Sequence, residues 1–485
     1  MNQDNGGIIG KINTPTTSVA SGVWSLQDQF ESQSSSIWPL GFPQTTFTNS
    51  CRFNDDSSDY LNRTPSSASN RKTFTFSVWV KRSEIGTATS QRNCIFSAGT
   101  ANENKTEIMF SGDQFQFVEK QSDSVTLNLE TNRLFRDVSA WYHLVVAVDT
   151  TQSTSSDRIK MYVNSTQISD FASSTYPSQD HTAYINDDRA HHIGRRGYSD
   201  YYSFDGYMTE IILVDGQQLT PTSFGATNPV TNIWEPIAYA GTYGTNGFKL
   251  NFSDSSALGD DTSGNGNDFT VNNLTSIDQV SDTPSNNFCL LNPLDFTGSI
   301  TASEGNTVFQ GGRYKGTFGV SSGKWYWEAK RLNAPDEAYI GIKADDGDWN
   351  NSFGNSYTVY TSNGKYYLNG SDQGSYGSSS TTNDILMFAL DMDNGKFYVG
   401  ENGTFYNSGD PAAGSNPMAS SISGTYLPAV INNSASGTDQ YSFNFGNSSF
   451  SISSGNADAN GFGNFEYAVP SGYFALCTKN LAEHG

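Results

Sequence analysis

Residues 141–149 read WYHLVVAVD, and residues 158–163 read RIKMYV after a short polar interval. An apolar run of this length between turn-forming residues is typical of a strand buried in a β-sandwich. Similar runs occur nearby, in FTFSVWV at residues 74–80 and FDGYMTEIILV at residues 204–214. We therefore predict one strand after another from about residue 46 to residue 230.

A second series of strand-like segments extends from about residue 296 to residue 476. Its members are short and apolar or alternating: GKWYWEAK at 323–330, AYIGIK at 338–343, DILMFALD at 384–391, KFYVG at 396–400, YLPAV at 426–430 and YSFNFG at 441–446. Asn394-Gly395 is a strong two-residue hairpin signal, and Asn402-Gly403 marks a further turn. The sequence thus predicts an all-β protein with two β-sandwich domains in tandem.

The composition agrees with many short strands and tight turns. Of 485 residues, 16% are charged and 13% are aromatic, a balance that favours sheet over helix. The formal net charge of −22 would repel phosphate groups, so neither nucleic acid nor an anionic membrane surface is expected as a partner. No apolar segment approaches the 18 residues of a membrane span, and the start of the chain has no signal-peptide pattern. We expect no membrane insertion.

The cysteines and histidines do not form a recognisable metal or nucleophile motif. No Cys-x-x-Cys spacing occurs, so Cys51, Cys94, Cys289 and Cys477 are expected to be isolated buried thiols, with three disulfide pairings formally open. The neighbouring His191 and His192 would point to opposite faces of a strand, which argues against a shared metal. No cofactor is expected, with calcium as the one candidate.

The first 45 residues differ from the rest and are too short to bury their own aromatic side chains. We interpret them as an N-terminal arm that docks onto another protein through apolar residues, or that folds back on the first domain. The candidate docking residues are Trp24, Leu26, Phe30 and Trp38.

The first β-rich region resembles the laminin-G/concanavalin-A-like jelly roll. The resemblance rests on FTFSVWVKR, on WYHLVVAVD followed by RIKMYVNS, and on IGRR with FDGYMTEIILVDGQQL. The second region resembles the SPRY domain through SSGKWYWEAK, AYIGI, DILMFALDMDNGKFYVGENGTF, YLPAV and FNFG. These resemblances imply two-sheet sandwiches that bind through their loops, and the SPRY resemblance implies no catalysis.

The two ends and the stretch between the modules look like those of marine-phage virion proteins. The start GIIGKINTPTTSVASGVWSL and the close GYFALCTKNLAEHG carry this resemblance. The predicted organisation is an arm (1–45), a laminin-G-like sandwich (46–230), a connector (231–293), a SPRY-like sandwich (294–478) and a C-terminal tail (479–485).

The strongest candidate ligand site lies between Tyr184 and Tyr207, where tyrosine, arginine and aspartate are dense. Flat aromatic faces and planar polar groups suit sugars, and the same residue types are common in protein contacts. A glycan, a protein contact and a merely solvated loop all remain open. The candidate ligand-binding residues are Arg189, His191, Arg195, Arg196, Tyr198, Tyr201, Tyr202 and, in the second module, Trp349.

Two acidic loops are candidate calcium sites, because calcium prefers oxygen ligands on flexible loops. One contains Asp345, Asp346 and Asp348, and the other runs from Asp260 to Asp268. The carboxylate string Glu-x-Asp-x-x-Glu of related glucanases is absent, and the nearest pair, Asp391 and Asp393, is more typical of a hairpin shoulder.

The sequence therefore favours a non-enzymatic fibre or spike protein of a bacteriophage, which binds a host glycan or protein and contacts other virion proteins through its arm. Such a protein would be assembled in the host cytoplasm, released by lysis and found in the virion. A capsid or tail decoration protein is the alternative, and a polysaccharide-depolymerising enzyme is a third and weaker one. A homo-oligomer is expected, since fibres are commonly closed symmetric assemblies, although no coiled-coil heptads are present.

Overall fold

The computed structural model of the protein describes residues 47–86, 92–198, 202–228, 231–333, 338–346, 353–432 and 439–485, together with Gln27 and Ser32. Within them the chain consists mainly of antiparallel sheets, with two short helices whose bounds are described, α1 (Ser155–Arg158) and α2 (Thr478–His484), while Gln27 and Ser32 are also helical. Single 3-10 turns occupy Pro221–Ser223, Ser276–Asp278 and Tyr406–Ser408. The prediction of an all-β fold is confirmed. None of the described helices could cross a membrane.

The first sandwich contains two sheets, and strands are numbered in chain order. The described strands of its first sheet are β1 (Ser50–Phe53), β3 (Thr73–Arg82), β8 (Trp141–Asp149), β9 (Ile159–Val163), β10 (Thr166–Gln167), β13 (Gly206–Asp215), β16 (Phe248–Leu250) and β18 (Gln279–Val280). They follow the order β10-β9-β8-β3-β13-β1-β18, with β16 also paired to β13.

The second sheet of this sandwich also has eight strands in the described part of the chain. They are β2 (Tyr60–Arg63), β4 (Arg92–Ala101), β5 (Asn104–Ser111), β6 (Gln114–Gln121), β7 (Ser124–Leu134), β11 (Phe171–Thr175), β12 (His191–Ile193) and β17 (Thr270–Asn272). Their order is β11-β7-β6-β5-β4-β12-β2-β17.

Alternation along the strands explains the core between these two sheets. On β3, Phe74, Phe76, Val78 and Val80 face inward and are at most 1% exposed. The inward residues of the opposite sheet include Phe96, whose ring stacks on that of Phe76 at 4.7 Å. Because successive residues point to opposite faces, Thr75, Ser77, Trp79 and Lys81 lie on the other face of the sheet, where they are also buried, at most 3% exposed.

The stretch expected as a connector, residues 231–293, contributes three strands to this sandwich. β16 pairs with β13, β17 with β2 and β18 with β1. Phe248, Leu250 and Phe269 are buried in the same core as the earlier strands. The segment therefore extends both sheets, because its alternating apolar residues complete the core.

The second sandwich has the same two-sheet layout. Seven described strands form one sheet: β19 (Leu291–Thr297), β22 (Arg313–Gly316), β24 (Ala338–Ala344), β25 (Ser356–Tyr360), β26 (Lys365–Leu368), β27 (Ser371–Ser375) and β31 (Tyr426–Asn432). They follow the order β19-β22-β31-β24-β25-β26-β27.

Eight described strands form its other sheet: β20 (Thr301–Ser303), β21 (Val308–Gln310), β23 (Lys324–Asn333), β28 (Ile385–Asp391), β29 (Lys396–Glu401), β30 (Thr404–Phe405), β32 (Gln440–Asn444) and β33 (Phe474–Ala475). The path is β20-β21-β32-β23-β28-β29-β30, and β33 runs parallel to β23. Trp325 and Trp327 of β23 are at most 1% exposed and lie at the centre of the core.

The turns of the second sandwich differ in part from the prediction. The two-residue turn predicted at Asn394-Gly395 is wrong, because Asp391 pairs with Lys396 and the loop comprises residues 392–395. The longer loop buries the Met392 side chain, and Asp391 accepts a hydrogen bond from the Asn394 N–H at 3.0 Å. Asn402-Gly403 does form a two-residue turn between Glu401 and Thr404, with the positive φ angles of a type I′ turn.

The described residues fall into two compact units. The larger comprises Thr48–Pro221 and Gly241–Gly485 and so contains both sandwiches. Thr222–Ala240 belong to the smaller unit, in which β14 (Gly225–Thr227) pairs with β15 (Trp234–Pro236).

The two sandwiches of the larger unit share a buried polar junction. Lys81 of β3 donates to Asp282 Oδ2 at 2.8 Å and to Asn287 Oδ1 at 2.5 Å, just before the second sandwich begins. The Trp141 indole N–H binds the other oxygen of Asp282 at 2.9 Å. The side chains of Lys81 and Asp282 are at most 1% exposed, so this pair is fully inside the molecule.

Further contacts link the first sandwich directly to the second. Arg52 of β1 binds Asp278, the Ser448 carbonyl at 3.1 Å and Glu304 at 3.3 Å. The Tyr207 hydroxyl donates to the Gly305 carbonyl at 2.8 Å. The two sandwiches therefore have a fixed mutual orientation.

The prediction for the cysteines is confirmed. Cys51, Cys94, Cys289 and Cys477 are all buried and all free. Burial raises the pKa of each thiol, to about 11 for Cys289 and Cys477, so these side chains act as small apolar groups.

Candidate functional site

A loop that begins at Gly194 and ends at Phe204 carries much of the predicted ligand site. Its base is closed where the Phe204 N–H donates to the Gly194 carbonyl at 2.7 Å. Ile193 and Phe204 are buried in the core at its two ends. Gly197 packs so closely on His192 that an added Cβ would lie 2.8 Å from Nδ1, which keeps the loop against the sheet.

Glu107 of β5 anchors this loop to the outer side of the second sheet. Its carboxylate accepts hydrogen bonds from Arg196 Nε and, at 3.0 Å, from Arg196 Nη2. Lys105 Nζ lies 2.9 Å from the same carboxylate, and the Tyr198 hydroxyl lies 3.4 Å from it. Burial opposes the charge of Arg196, but the charge and hydrogen bonds of Glu107 raise its pKa.

Two tyrosine rings flank the anchored guanidinium. The Arg196 Cζ lies 4.0 Å from the Tyr202 ring centroid and 5.0 Å from that of Tyr198, within the range of a cation–π interaction. Both tyrosines are half-buried, so part of each residue is accessible to solvent. We call Lys105, Glu107, Arg196, Tyr198 and Tyr202 the Arg196 face.

Tyr202 has an unusual backbone conformation. Its φ is +77°, a left-handed value that costs energy for a bulky residue. The Cys94 N–H donates to the Tyr202 carbonyl at 3.1 Å and holds the backbone against β4. The ring is therefore fixed beside Arg196 by a strained backbone.

A second cation–ring pair lies beside the loop. The Arg195 Cζ is 3.8 Å from the Tyr60 ring centroid, and the Tyr60 ring in turn contacts His192. Both Arg195 and Tyr60 are half-buried. Alternating guanidinium groups and phenol rings are suited to the flat faces and hydroxyls of a sugar, or to a protein surface.

The structure separates the other predicted residues from this face. Arg189 binds Asp187 at 2.9 Å and lies over the Tyr184 ring at 4.3 Å, before β12 begins. His191 is 3% exposed, and its Nδ1 donates to the Arg189 carbonyl while Nε2 accepts the Asn186 N–H. Burial lowers the pKa of His191 to about 4. Both of its nitrogens are used within the fold, which removes His191 from the surface available to a ligand.

Several predicted residues lie outside the described part of the chain. They are Tyr201, Trp349, Asp348 and the docking residues Trp24, Leu26, Phe30 and Trp38. Their roles stay predictions.

The sequence did not predict Lys105, Glu107 or Tyr60 as part of the site. They come from β5 and β2, far along the chain from residues 194–204. The one available signal was that charged residues occupy the outward positions of an otherwise apolar strand, KTEIMF at residues 105–110.

The second sandwich carries an aromatic cluster on the outer side of β24, β25 and β26. The Tyr339 ring stacks on Tyr360 at 4.5 Å and meets the edges of Phe353 and Tyr367 at 4.8 and 4.9 Å. Tyr339, Phe353 and Tyr367 are half-buried.

A polar cleft of about 520 Å³ opens where residues of both sandwiches meet. Its lining includes Gln279, Ser281, Asn447, Ser448 and Phe450. Asn447 Oδ1 accepts two hydrogen bonds from Ser281, while its buried Nδ2 has no hydrogen-bond partner among the described residues.

One acidic residue in each loop considered for calcium is engaged within the fold. Asp346 pairs with Lys343 at 3.2 Å and accepts a hydrogen bond from Asn355. Both oxygens of Asp261 accept hydrogen bonds from its own turn and from the Lys249 N–H. In the described ranges, no three His, Cys, Asp or Glu side chains converge as a metal site.

Asp391 and Asp393, the carboxylate pair nearest to a glucanase pattern, both bind other groups of the fold. Asp391 binds Lys324 at 3.1 Å and Asn394, and Asp393 accepts the Gly323 N–H at 2.8 Å. These bonds shape the hairpin shoulder that the sequence indicates.

Comparison with known proteins finds a family match for the first sandwich. Residues 55–222 match the family model for the concanavalin A-like lectin/glucanases superfamily. Among solved structures, the chain is similar to the SPRY domain of human HERC1, with 19% identity, a TM-score of 0.27 and coverage of 32% of this chain and 96% of that one.

It is also similar to a native heptameric SAP-like pentraxin from Limulus polyphemus, with 13% identity, a TM-score of 0.26 and coverage of 36% and 77%. No curated protein matches the chain significantly. The superfamily includes both lectins and glucanases, and a sandwich of this type suggests a binding module. Residues 55–222 are thus similar to concanavalin A-like domains of the laminin G type.

Proposed function

We propose that this chain is a non-enzymatic binding protein of a bacteriophage particle, of the fibre or spike type. Its N-terminal arm attaches to other virion proteins, and the Arg196 face of the first sandwich contacts a glycan on the host surface. The protein assembles as a homo-oligomer in the host cytoplasm and leaves in the virion on lysis. The virion assignment rests on the resemblance of the chain ends and connector to phage structural proteins.

The observation that carries the binding role is the fixed geometry of Tyr202, Arg196 and Tyr198. The two half-buried rings flank a guanidinium 4.0 and 5.0 Å away, which Glu107 holds in place. A surface whose rings are already ordered loses little conformational freedom when it binds. The strained φ of Tyr202 supports a functional role, because such strain is commonly kept at binding sites.

The same geometry supports a role without catalysis. A glycoside hydrolase needs one carboxylic acid and a second carboxylate flanking the scissile bond. On the Arg196 face the Glu107 carboxylate is already bound by Arg196, Lys105 and Tyr198. Glu107 is therefore assigned as an anchor for the loop.

A decoration protein of the capsid or tail is the second candidate. The observation that favours it is the junction between the sandwiches, since a fixed pair of modules also suits a purely structural contact. In that case the Arg196 face would contact a neighbouring virion protein.

Tyr202→Gly separates binding from folding. Glycine adopts a φ of +77° without strain, so the gain should offset the lost ring contact, and stability should stay within about 1 kcal/mol of wild type. Without the ring, we expect binding to an array of bacterial surface polysaccharides to fall by about tenfold or more.

Tyr339→Ala, in the aromatic cluster of the second sandwich, is the matched control and should bind like wild type. Equal binding by Tyr202→Gly and wild type would exclude the Arg196 face as the glycan site. Loss only in Tyr339→Ala would move the site to the second sandwich.

A further inference from the structure

Three side chains at the junction between the sandwiches bring an amine, a carboxylate and an amide together. Lys81 Nζ of β3 lies 2.8 Å from Asp282 Oδ2 and 2.5 Å from Asn287 Oδ1. Lys81 and Asp282 are fully buried, while Asn287 is half-buried. The group therefore places a nucleophile, a proton acceptor and an acyl carbon side by side, where most water is excluded.

The Asn287 amide presents its carbonyl side to the amine. Its Nδ2 donates to the Ser139 carbonyl, which can only accept a hydrogen bond, so Oδ1 is the atom that faces Lys81. Because a carbonyl bond is about 1.23 Å long, Lys81 Nζ lies no more than about 3.7 Å from Asn287 Cγ. Atoms about 3–3.5 Å apart are close to the geometry of attack. Rotation of the amide about its Cβ–Cγ bond is the main movement that remains.

Both reacting residues are held by their backbones. The Asn287 N–H donates to Thr478 Oγ1 at 2.9 Å, and the Asn287 carbonyl accepts the Thr478 N–H at 2.8 Å, where α2 begins. On the other side, Lys81 is paired with Trp141 of β8 and with Tyr207 of β13. Fixed reactants gain the rate advantage of an intramolecular reaction, because little freedom is left to lose.

Asp282 is placed to move protons. Its Oδ1 accepts the Trp141 indole N–H at 2.9 Å, and its Oδ2 contacts Lys81. Burial raises the pKa of this carboxyl group, although the charge and hydrogen bond of Lys81 lower it. A carboxylate in such a place accepts a proton from the ammonium more readily, since a neutral pair avoids the cost of two buried charges.

We propose that Lys81 and Asn287 form an intramolecular isopeptide bond after the chain folds, with Asp282 as the proton carrier. Asp282 takes a proton from the Lys81 ammonium, and the free amine attacks Asn287 Cγ to form a C–N bond. Asp282 then passes its proton to Asn287 Nδ2 and accepts one from Nζ. The Cγ–Nδ2 bond breaks, and the released ammonia takes the last proton from Asp282 and leaves as ammonium. One amide replaces another, so the step needs no oxidant.

The bond joins positions that are 206 residues apart. It ties β3 of the first sandwich to the segment that leads into the second, and it restricts the unfolded chain as a disulfide does. The ion pair between Lys81 and Asp282 is the state of the junction before this reaction. The proposal does not depend on what the Arg196 face binds.

The test is the mass of the purified full chain under denaturing conditions. We expect wild type to be about 17 Da lighter than its sequence mass, which corresponds to the loss of one ammonia. Trypsin should fail to cleave after Lys81, and the peptide that contains Lys81 should be joined to the peptide that contains Asn287. A wild-type chain of full mass without this linked pair would overturn the proposal.

Two variants and a control make the test specific. Asn287→Ala removes the acyl group at a half-buried position, so the variant should fold and have its full sequence mass. Asp282→Asn keeps both partners of the bond but removes the proton carrier, so it should also have its full mass. Lys72→Met, at the exposed ion pair with Asp180, should still be about 17 Da too light.

A succinimide at an Asn-Gly step also loses one ammonia, so the intact mass is combined with the peptide map. Asn394-Gly395 and Asn402-Gly403 are such steps. A succinimide would leave Lys81 open to trypsin and would persist in Asn287→Ala. A mass deficit that persists in this variant would therefore contradict the isopeptide bond.

Discussion

At the scale of single residues, His143 illustrates how a polar side chain is accommodated inside a strand. It lies in β8, is fully buried, stacks on Trp79 at 4.8 Å and contacts the Ser77 hydroxyl at 2.8 Å. Burial lowers its pKa to about 3, so the folded protein holds a neutral imidazole. The apolar run WYHLVVAVD predicted the strand, but it could not indicate the neighbour that satisfies this histidine.

We expect His143 to make the fold sensitive to acid. Its folded-state pKa of about 3 lies below the usual 6.5, so its contribution to stability is present above pH 6.5 and is lost progressively below it. His143→Gln cannot gain this proton, so its free energy of unfolding should fall less than that of wild type between pH 7 and pH 4. Urea unfolding at a series of pH values measures the difference, and parallel curves would contradict the assignment.

At the scale of elements, the loop after β12 depends on a charge pair with β5. Glu107 is fully buried, Arg196 is 5% exposed, and their bidentate contact crosses from the sheet to the loop. Sequence alone predicted a tyrosine- and arginine-rich loop at this place. It could not predict Glu107 as the partner, because strand pairing brings residues about ninety positions apart together.

Breaking this pair should be costly. Arg196→Met leaves Glu107 buried with Lys105 as its remaining cationic partner, and we expect a loss of about 3 kcal/mol in the free energy of unfolding. Combining it with Glu107→Met should cost less than the sum of the two single changes, with a coupling of about 1–3 kcal/mol. Denaturant unfolding of the four proteins measures the coupling, and additive losses would mean that the pair does not hold the loop.

The hairpins show a similar division between predictable and unpredictable features. Asn402-Gly403 forms the turn that its residue types indicate, because both positions have positive φ. Asn394-Gly395 carries the same signal, yet the loop is longer because Met392 is buried in the core. Local turn preference thus determines the loop length at Asn402-Gly403. At Asn394-Gly395 the packing of the Met392 side chain determines it.

At the scale of the whole molecule, the junction makes two sandwiches into one compact unit. The sequence predicted both modules and their order, but it assigned residues 231–293 to a connector. Three strands of that stretch pair with the first sandwich, and Asp282 then binds Lys81 before the second begins.

Lys81→Met tests whether this junction unites the sandwiches. The change leaves Asp282 buried without its ammonium partner, and burial already raises the pKa of that carboxyl group. We expect a loss of about 3–5 kcal/mol, and calorimetry should show two transitions where wild type shows one main transition. Lys72→Met, at an exposed ion pair with Asp180, is the control and should change stability by less than about 1 kcal/mol. A single unchanged transition in Lys81→Met would contradict the role of the junction.

The most direct test of the proposed function is cryo-electron microscopy of intact phage particles that contain this chain. We predict density for the arm before residue 46 against a tail or capsid protein, with both sandwiches projecting outward and Tyr202 facing solvent. Sandwiches lying flat against other particle proteins, with the Arg196 face covered, would contradict the host-binding role and favour a decoration protein. Absence of the chain from purified particles would contradict the virion assignment itself.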